Sequence, residues 1–188
     1  MFWKNCTLDD TFKTKISPYY ELMTGQQYGL SFTDYKFINY RYCSNKCLNA
    51  VTCERGGFLN TDSCKYCECP NVFAGLQCER LDNSTSGCDQ NQLNASTPLS
   101  TLNFSGIETC NILITASIRM TIKINVTLAY LPTFNPCFEK QALEIKHRKD
   151  KSLTGLCLCT YALNVTIESE DHYVLIQYNG KKNIIMLK

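Results

Sequence analysis

The sequence predicts a mainly β, disulfide-rich protein: a small cysteine-stapled module, then an antiparallel β-sandwich, with a short helix in front. Three observations carry that prediction. Thirteen of the 188 residues are cysteine, far more than a reducing compartment calls for. Cys47, Cys53, Cys64, Cys67, Cys69 and Cys78 crowd into one short stretch. Beyond it, residues 118–130 alternate apolar and polar side chains with period two, the signature of a strand with one buried face.

The helix comes first in the chain. Ser31 and Asp34 form a capping pair, with Leu30 and Tyr35 at the staple positions on either side. Phe32, Tyr35, Ile38 and Tyr42 then recur every three or four residues, which gives residues 31–42 one apolar stripe. A helix this short is marginal alone. Residues 1–43 are therefore expected to be loosely ordered, or to dock on the cysteine-rich module or another chain.

The six central cysteines read C-x5-C-x10-C-x2-C-x-C-x8-C. So short a stretch cannot bury enough apolar surface to fold unaided, so cross-links must replace a core. Spacing alone leaves fifteen possible pairings. A zinc ribbon through Cys64-x2-Cys67 is disfavoured, because Cys67-x-Cys69 is too cramped for ordinary paired zinc knuckles.

In the C-terminal part, Ile118, Met120, Ile122, Ile124, Val126, Leu128 and Tyr130 fall on one face of a long strand, or of two strands joined by a bulge. Leu143–Ile145, Tyr173–Tyr178 and Ile184–Leu187 are further strands. The expected core includes Ile112, Ile114, Met120, Ile122, Ile124, Val165, Ile167 and Ile176. A one-residue slip would turn that set outward. The basic run Lys146-His147-Arg148-Lys149 is expected to be a solvated hairpin loop, with a heparin-like glycan contact as the functional alternative.

Six N-x-S/T sequons, at Asn5, Asn83, Asn94, Asn103, Asn125 and Asn164, together with the cysteine count point to the secretory pathway and an extracellular destination. The start Met1-Phe2-Trp3-Lys4-Asn5-Cys6 has no apolar export segment. The expectation is thus an exported protein whose beginning is missing. No apolar run approaches the roughly 18–20 residues of a membrane span. A net charge of +2 gathers neither nucleic acid nor anionic lipid.

The string Tyr20-Glu21-Leu22-Met23-Thr24-Gly25-Gln26-Gln27-Tyr28-Gly29-Leu30-Ser31-Phe32-Thr33-Asp34 resembles the end of an astacin-family zinc metalloendopeptidase catalytic domain. In nematode members a G-Q-R-x-x-L-S-F-x-D segment leads into a last helix that ends in a cysteine, here Cys43. The sequence departs from that pattern at Gln27. The C-x-C pair and the loop Cys69-Pro70-Asn71-Val72-Phe73-Ala74-Gly75-Leu76-Gln77-Cys78 resemble an EGF-like module. Cys110-Asn111-Ile112-Leu113-Ile114, Thr154-Gly155-Leu156-Cys157 and Ile167-Glu168-Ser169-Glu170 resemble pieces of a CUB domain. The resemblance runs in order over roughly residues 14–188. It implies a catalytic-domain remnant at 1–43, an EGF-like module at 44–80, a linker at 81–87 and a CUB-type sandwich at 88–188.

The resemblance also implies a cysteine pairing: Cys47–Cys64, Cys53–Cys67, Cys69–Cys78, Cys88–Cys110, and Cys137 with Cys157 or Cys159. Cys157 is taken as the partner, and Cys6, Cys43 and the remaining cysteine are left over. An odd total leaves at least one thiol unpaired in any monomer. Zinc enters by resemblance alone. The family's H-E-x-x-H-x-x-G-x-x-H, which supplies three ligands and a general base, has no counterpart here, and His147 and His172 are the only histidines. No catalytic or metal residue is assigned. Calcium is disfavoured, since the family's ligand positions are Glu139-Lys140-Gln141 and Asn179-Gly180, and a lysine there repels a cation. The EGF-like part also lacks an acidic lead-in at Ser44-Asn45-Lys46.

Two functions are consistent with these features. The chain is either the non-catalytic C-terminal part of a secreted astacin-like metalloendopeptidase, or a non-catalytic secreted protein that binds matrix or a protein partner. A receptor ligand built on Gly75-Leu76-Gln77-Cys78 is a weaker third.

Overall fold

The computed structural model describes residues 13–47, 51–85, 87–88, 90–95, 100–180 and 183–187. A 3-10 helix at Pro18–Met23 opens the described part. Ser17 caps it by accepting from the Tyr19 amide, and proline occupies the first turn, where its missing N–H costs nothing. Helix α1 (Phe32–Cys43) begins with a complete capping box. The Asp34 amide donates to the Ser31 hydroxyl at 3.2 Å, and the Ser31 amide donates to the Asp34 carboxylate at 2.8 Å.

The apolar stripe of α1 is not buried as a unit. Phe32 packs on Phe58 with ring centroids 5.2 Å apart, but Tyr35, Ile38 and Tyr42 are exposed. The attached face is partly polar. Lys36 Nζ donates to the Gly56 carbonyl at 2.9 Å, and Asn39 Nδ2 reaches the Leu59 carbonyl at 3.4 Å. Phe32, Lys36 and Asn39 are spaced four and three apart and so share one face. Through that face α1 docks on the cysteine-rich module.

The module contains two short antiparallel ribbons, β1 (Phe58–Leu59) with β2 (Cys67–Glu68), and β3 (Phe73–Ala74) with β4 (Arg80–Leu81). Three disulfides staple it: Cys47–Cys64, Cys53–Cys67 and Cys69–Cys78. Gly75 sits at φ +106 with the Glu79 carboxylate where a Cβ would stand, so the loop before Cys78 requires glycine.

The remaining strands are β5 (Gln92–Asn94), β6 (Leu102–Gly106), β7 (Thr109–Thr115), β8 (Lys123–Tyr130), β9 (Leu143–Lys146), β10 (Leu156–Leu158), β11 (Tyr161–Glu168), β12 (Tyr173–Asn179) and β13 (Asn183–Leu187). They form a five-stranded sheet, β10-β9-β12-β7-β5, and a four-stranded sheet, β11-β8-β13-β6. A single apolar cluster draws Ile112, Ile114, Ile145 and Ile176 from the first sheet and Phe104, Ile124, Val126 and Ile167 from the second. The expected all-antiparallel pairing fails at one place, since β5 runs parallel to β7. The chain leaves β5, crosses to the other sheet as β6 and returns as β7. That is the crossover a parallel neighbour requires.

Seven of the eight expected core residues are buried, and Met120 is 60% exposed. Strand β8 begins only at Lys123, and Met120 closes a turn on the Ser117 carbonyl. The alternation also breaks inside β8. Against β13, Leu187 pairs with Val126 and Met186 with Leu128, so Thr127 is an extra residue. Such a bulge re-aims the side chains beyond it: Ala129 is buried instead, while Leu128 is half-exposed and Tyr130 exposed.

Cys88–Cys110 and Cys137–Cys159 are the disulfides of the sheets. The second corrects the assignment of Cys157. Cys157 lies opposite Glu144 in the β9–β10 ladder, on the outer side of the five-stranded sheet, where the 3-10 helix covers it. Cys159 lies just past the end of β10, with its Cα 5.8 Å from that of Cys137. Among the described residues Cys43 and Cys157 are the free thiols; Cys6 lies outside them.

Candidate functional site

The chemistry-bearing side chains of the chain converge on the outer face of the five-stranded sheet. Along β12, Val174, Ile176 and Tyr178 enter the shared core, so Leu175 and Gln177 point the other way. Glu144 and Lys146 of β9 and Asn111 of β7 join them by the same alternation. This face is not solvated. Leu175 completes an apolar cluster with Cys67, Val72, Phe73 and Cys78 of the cysteine-rich module.

A polar seam surrounds that contact. Asn71 Nδ2 donates to Glu144 Oε2 at 2.9 Å and to Gln177 Oε1 at 2.6 Å. Gln177 Nε2 donates to Asn111 Oδ1 at 2.8 Å. Asn111 Nδ2 reaches the carbonyls of Asp82 and Asn83, both at 3.3 Å. The other Glu144 oxygen receives the Gly155 amide at 2.8 Å and pairs with Lys146 Nζ at 3.1 Å. Lys146 also donates to the Leu153 carbonyl at 2.8 Å. Glu144 and Lys146 are each 2% exposed. Buried charges persist only when paired and hydrogen-bonded, as these are. With both Glu144 oxygens, the Lys146 ammonium and the Asn111 and Asn71 amide nitrogens engaged, the seam holds the module and the sheet together.

The N-terminal segment meets the same sheet beside it. Tyr20 Oη lies 2.8 Å from His147 Nε2, and His147 Nδ1 lies 3.1 Å from the Glu168 carbonyl. A carbonyl only accepts, so Nδ1 carries the proton and Nε2 accepts from the tyrosine hydroxyl. Burial pushes the His147 pKa down, and it pushes that of Tyr20 up to about 12. Tyr20 is therefore a neutral hydrogen-bond donor at physiological pH. The Cys137 amide donates to the Leu22 carbonyl at 2.8 Å, which fixes the end of the segment.

This contact predicts a pH dependence. Above the ordinary histidine value of 6.5, His147 is neutral both folded and unfolded and contributes nothing. As the pH falls through that value, the unfolded chain takes up a proton that the folded chain does not, so stability declines toward the lower folded-state pKa. Arg148 disfavours the added charge, while the Glu168 carbonyl and Glu170 favour it. Thermal melts from pH 7.5 to 5 are expected to show falling stability, with the decline flattened in His147→Gln.

The basic run is thus a corrected expectation. Lys146 and His147 are buried, Arg148 pairs with Glu170 at 2.8 Å, and only Lys149 is freely solvated. Lys151, just beyond, is also buried. It pairs with Asp171 at 2.7 Å, donates to the Arg148 carbonyl and lies 4.3 Å from the Tyr173 ring centre. No basic surface for a sulfated glycan results. At the positions weighed for calcium, Gln141 Oε1 accepts the Phe138 amide at 3.1 Å. Burial raises the Glu139 pKa, favouring its neutral form.

Zinc does not fit the described residues. Cys88, Glu108 and Cys110 are the one set of three potential ligands that lies together among them, and a disulfide joins its two sulfurs. Both ring nitrogens of His147 are engaged. Cys157 is buried, and burial lifts its pKa well above the ordinary thiol value, so it is no nucleophile. Iodoacetamide is expected to leave Cys157 unlabelled in the native protein and to label it after denaturation, as read by peptide mapping.

The sequons fall on different parts of the surface. Asn83, Asn94, Asn103 and Asn164 are exposed, Asn125 is half-buried, and Asn5 lies outside the described residues. Sequence reasoning missed the seam. Its signals are the runs Val174-Leu175-Ile176 and Ile112-Leu113-Ile114, each three consecutive apolar residues in one strand, which mark burial on both faces.

No family model matches the chain. Zinc metalloproteinase nas-34 of Caenorhabditis elegans is 31% identical over 163 residues, covering 87% of this chain and 27% of that protein. Zinc metalloproteinase nas-37 of the same nematode is 32% identical over 177 residues, covering 93% and 22%. Zinc metalloproteinase dpy-31 of Brugia malayi is 39% identical over 71 residues, covering 38% and 12%. The homologues are nematode astacin zinc metalloproteinases. This chain spans about a quarter of the length of the relatives that it matches over most of its residues. In the similarity to nas-37, 93% of the chain takes part, so most of the region spanning the 3-10 helix, the cysteine-rich module and the two sheets is shared with a metalloproteinase. No helix of the described residues is long and apolar enough to cross a membrane.

Proposed function

We propose that this chain is the non-catalytic C-terminal part of a secreted astacin-like zinc metalloendopeptidase. In this reading residues 1–43 end the catalytic domain, 44–80 are an EGF-like module, 81–87 a linker, and 88–188 a CUB-type sandwich. The observation that carries it is the match of 87–93% of the chain to only 22–27% of each of two such proteinases, in a chain that lacks the family's zinc-binding string.

Zinc would polarise a bound water for attack on a peptide carbonyl, with ligands outside the described residues. The role of this chain is to hold the EGF-like module and the CUB-type sheets in one fixed relation through the Asn71–Glu144–Gln177 seam. They would thereby offer a rigid surface to an extracellular protein or matrix partner. Asn5, Asn83, Asn94, Asn103, Asn125 and Asn164 are the proposed N-glycan acceptors.

A second reading, a secreted EGF/CUB interaction protein with no peptidase of its own, keeps the same surface. The buried seam is common to both readings. Full-length transcript sequencing separates the two. An in-frame H-E-x-x-H-x-x-G-x-x-H upstream of Met1 is the expected result; a complete transcript without it would leave the interaction protein.

A further inference from the structure

The outer face of the four-stranded sheet carries an apolar patch set out in register. Leu163, Leu128 and Met186 are cross-strand neighbours on β11, β8 and β13, and the same row ends on β6 at Asn103. In the next row Tyr161 pairs with Tyr130, their rings edge to face at 5.7 Å. The exposures are 66% for Tyr130, 50% for Tyr161, 51% for Leu163 and 43% for Met186. Contiguous exposed apolar groups, unlike scattered single ones, are where a covering group is looked for. The patch exists because of the extra residue at Thr127, which turns Leu128 outward, and its partner Leu163 with it.

Three of the six sequons surround it. Asn103 closes the Leu163–Leu128–Met186 row on the edge strand β6. Asn164 is exposed beside Leu163 on the opposite edge strand β11, at φ 52, a conformation that asparagine tolerates. Asn125 of β8 lies opposite Thr166 and two residues before the bulge. Phe104, Val126 and Val165 next to these asparagines are buried, which places the asparagine side chains on the outer side with the patch.

We propose that N-linked glycans on Asn103, Asn125 and Asn164 are the occupant of this patch. The C–H face of a core N-acetylglucosamine packs on tyrosine and aliphatic side chains, while its hydroxyls stay in water. The glycans thus make the outer face of the four-stranded sheet a solubilised surface, and they exclude protein partners from it. The inference rests on the extracellular reading of the chain and adds a function for three specific acceptors.

The test uses the full chain secreted from eukaryotic cells. Glycopeptide mass spectrometry measures occupancy. Hydroxyl-radical footprinting then tracks Tyr130, Tyr161 and Met186 before and after native enzymatic deglycosylation, with the exposed Tyr28 and Tyr40 as internal references. The expected result is occupancy at all three sites and a severalfold rise in oxidation of Tyr130, Tyr161 and Met186 on deglycosylation, with Tyr28 and Tyr40 unchanged. Occupied sites with unchanged oxidation would overturn the covering role and leave secretion standing. Secreted chain unmodified at these asparagines would overturn the inference without touching the proteinase reading. Protection that persists without glycans and weakens on dilution would overturn it in favour of a second copy of this chain.

Discussion

Glu144→Ala is expected to destabilise the protein by about 3–5 kcal/mol. The change leaves Lys146 charged at 2% exposure with only the Leu153 carbonyl as a partner. It also frees the Gly155 amide and one of the two bonds of Asn71. Breaking a buried pair by removing one member is far more damaging than replacing both. The double change Glu144→Leu with Lys146→Met is therefore expected to recover much of the loss. Urea denaturation of the three proteins measures it. A single-variant loss below about 1 kcal/mol, the range of exposed pairs, would mean that the seam is open to water.

Ile122→Asp is expected to cost several kcal/mol, on the order of an unpaired buried charge. Ile122 is 5% exposed and its backbone is clamped to Ser169: its amide donates to the Ser169 hydroxyl at 2.7 Å and its carbonyl accepts the Ser169 amide at 2.9 Å. The side chain therefore cannot swing out to solvate the carboxylate. Two residues earlier, Met120→Asp is expected to stay within about 0.5 kcal/mol, the range of surface substitutions. Thermal melts of the pair distinguish the observed core from an unbroken alternation through residue 118, which requires both changes to be severe.

Local features are the ones legible in this sequence. The capping box of Ser31 and Asp34 lies within four residues and forms as expected. Ile122, Ile124 and Val126 alternate inward because a strand has period two. The places where the alternation misleads depend on a neighbour distant in sequence. Leu128 turns outward because β8 carries one residue more than β13 opposite it, some 60 positions away. Cys159 takes the place expected of Cys157 because Cys157 faces outward opposite Glu144 while Cys159, past the end of β10, comes within 5.8 Å of Cys137 between Cα atoms, and nothing near either cysteine records that. Glu144 and Gln177 look solvent-facing in a linear reading. Their burial needs a module whose own core is too small to close without Leu175. The apolar stripe of α1 misleads in the opposite sense, since it docks through Lys36 and Asn39 as much as through Phe32.

The described residues are proposed to hold no catalytic metal site, although the chain is similar to metalloproteinases along most of its length. The direct measurement is zinc content of the purified, folded chain by atomic emission, paired with a fluorogenic peptide assay run with and without a chelator. The account predicts zinc well below one ion per chain and no chelator-sensitive cleavage. One tightly held zinc per chain, accompanied by cleavage that the chelator abolishes, would contradict it.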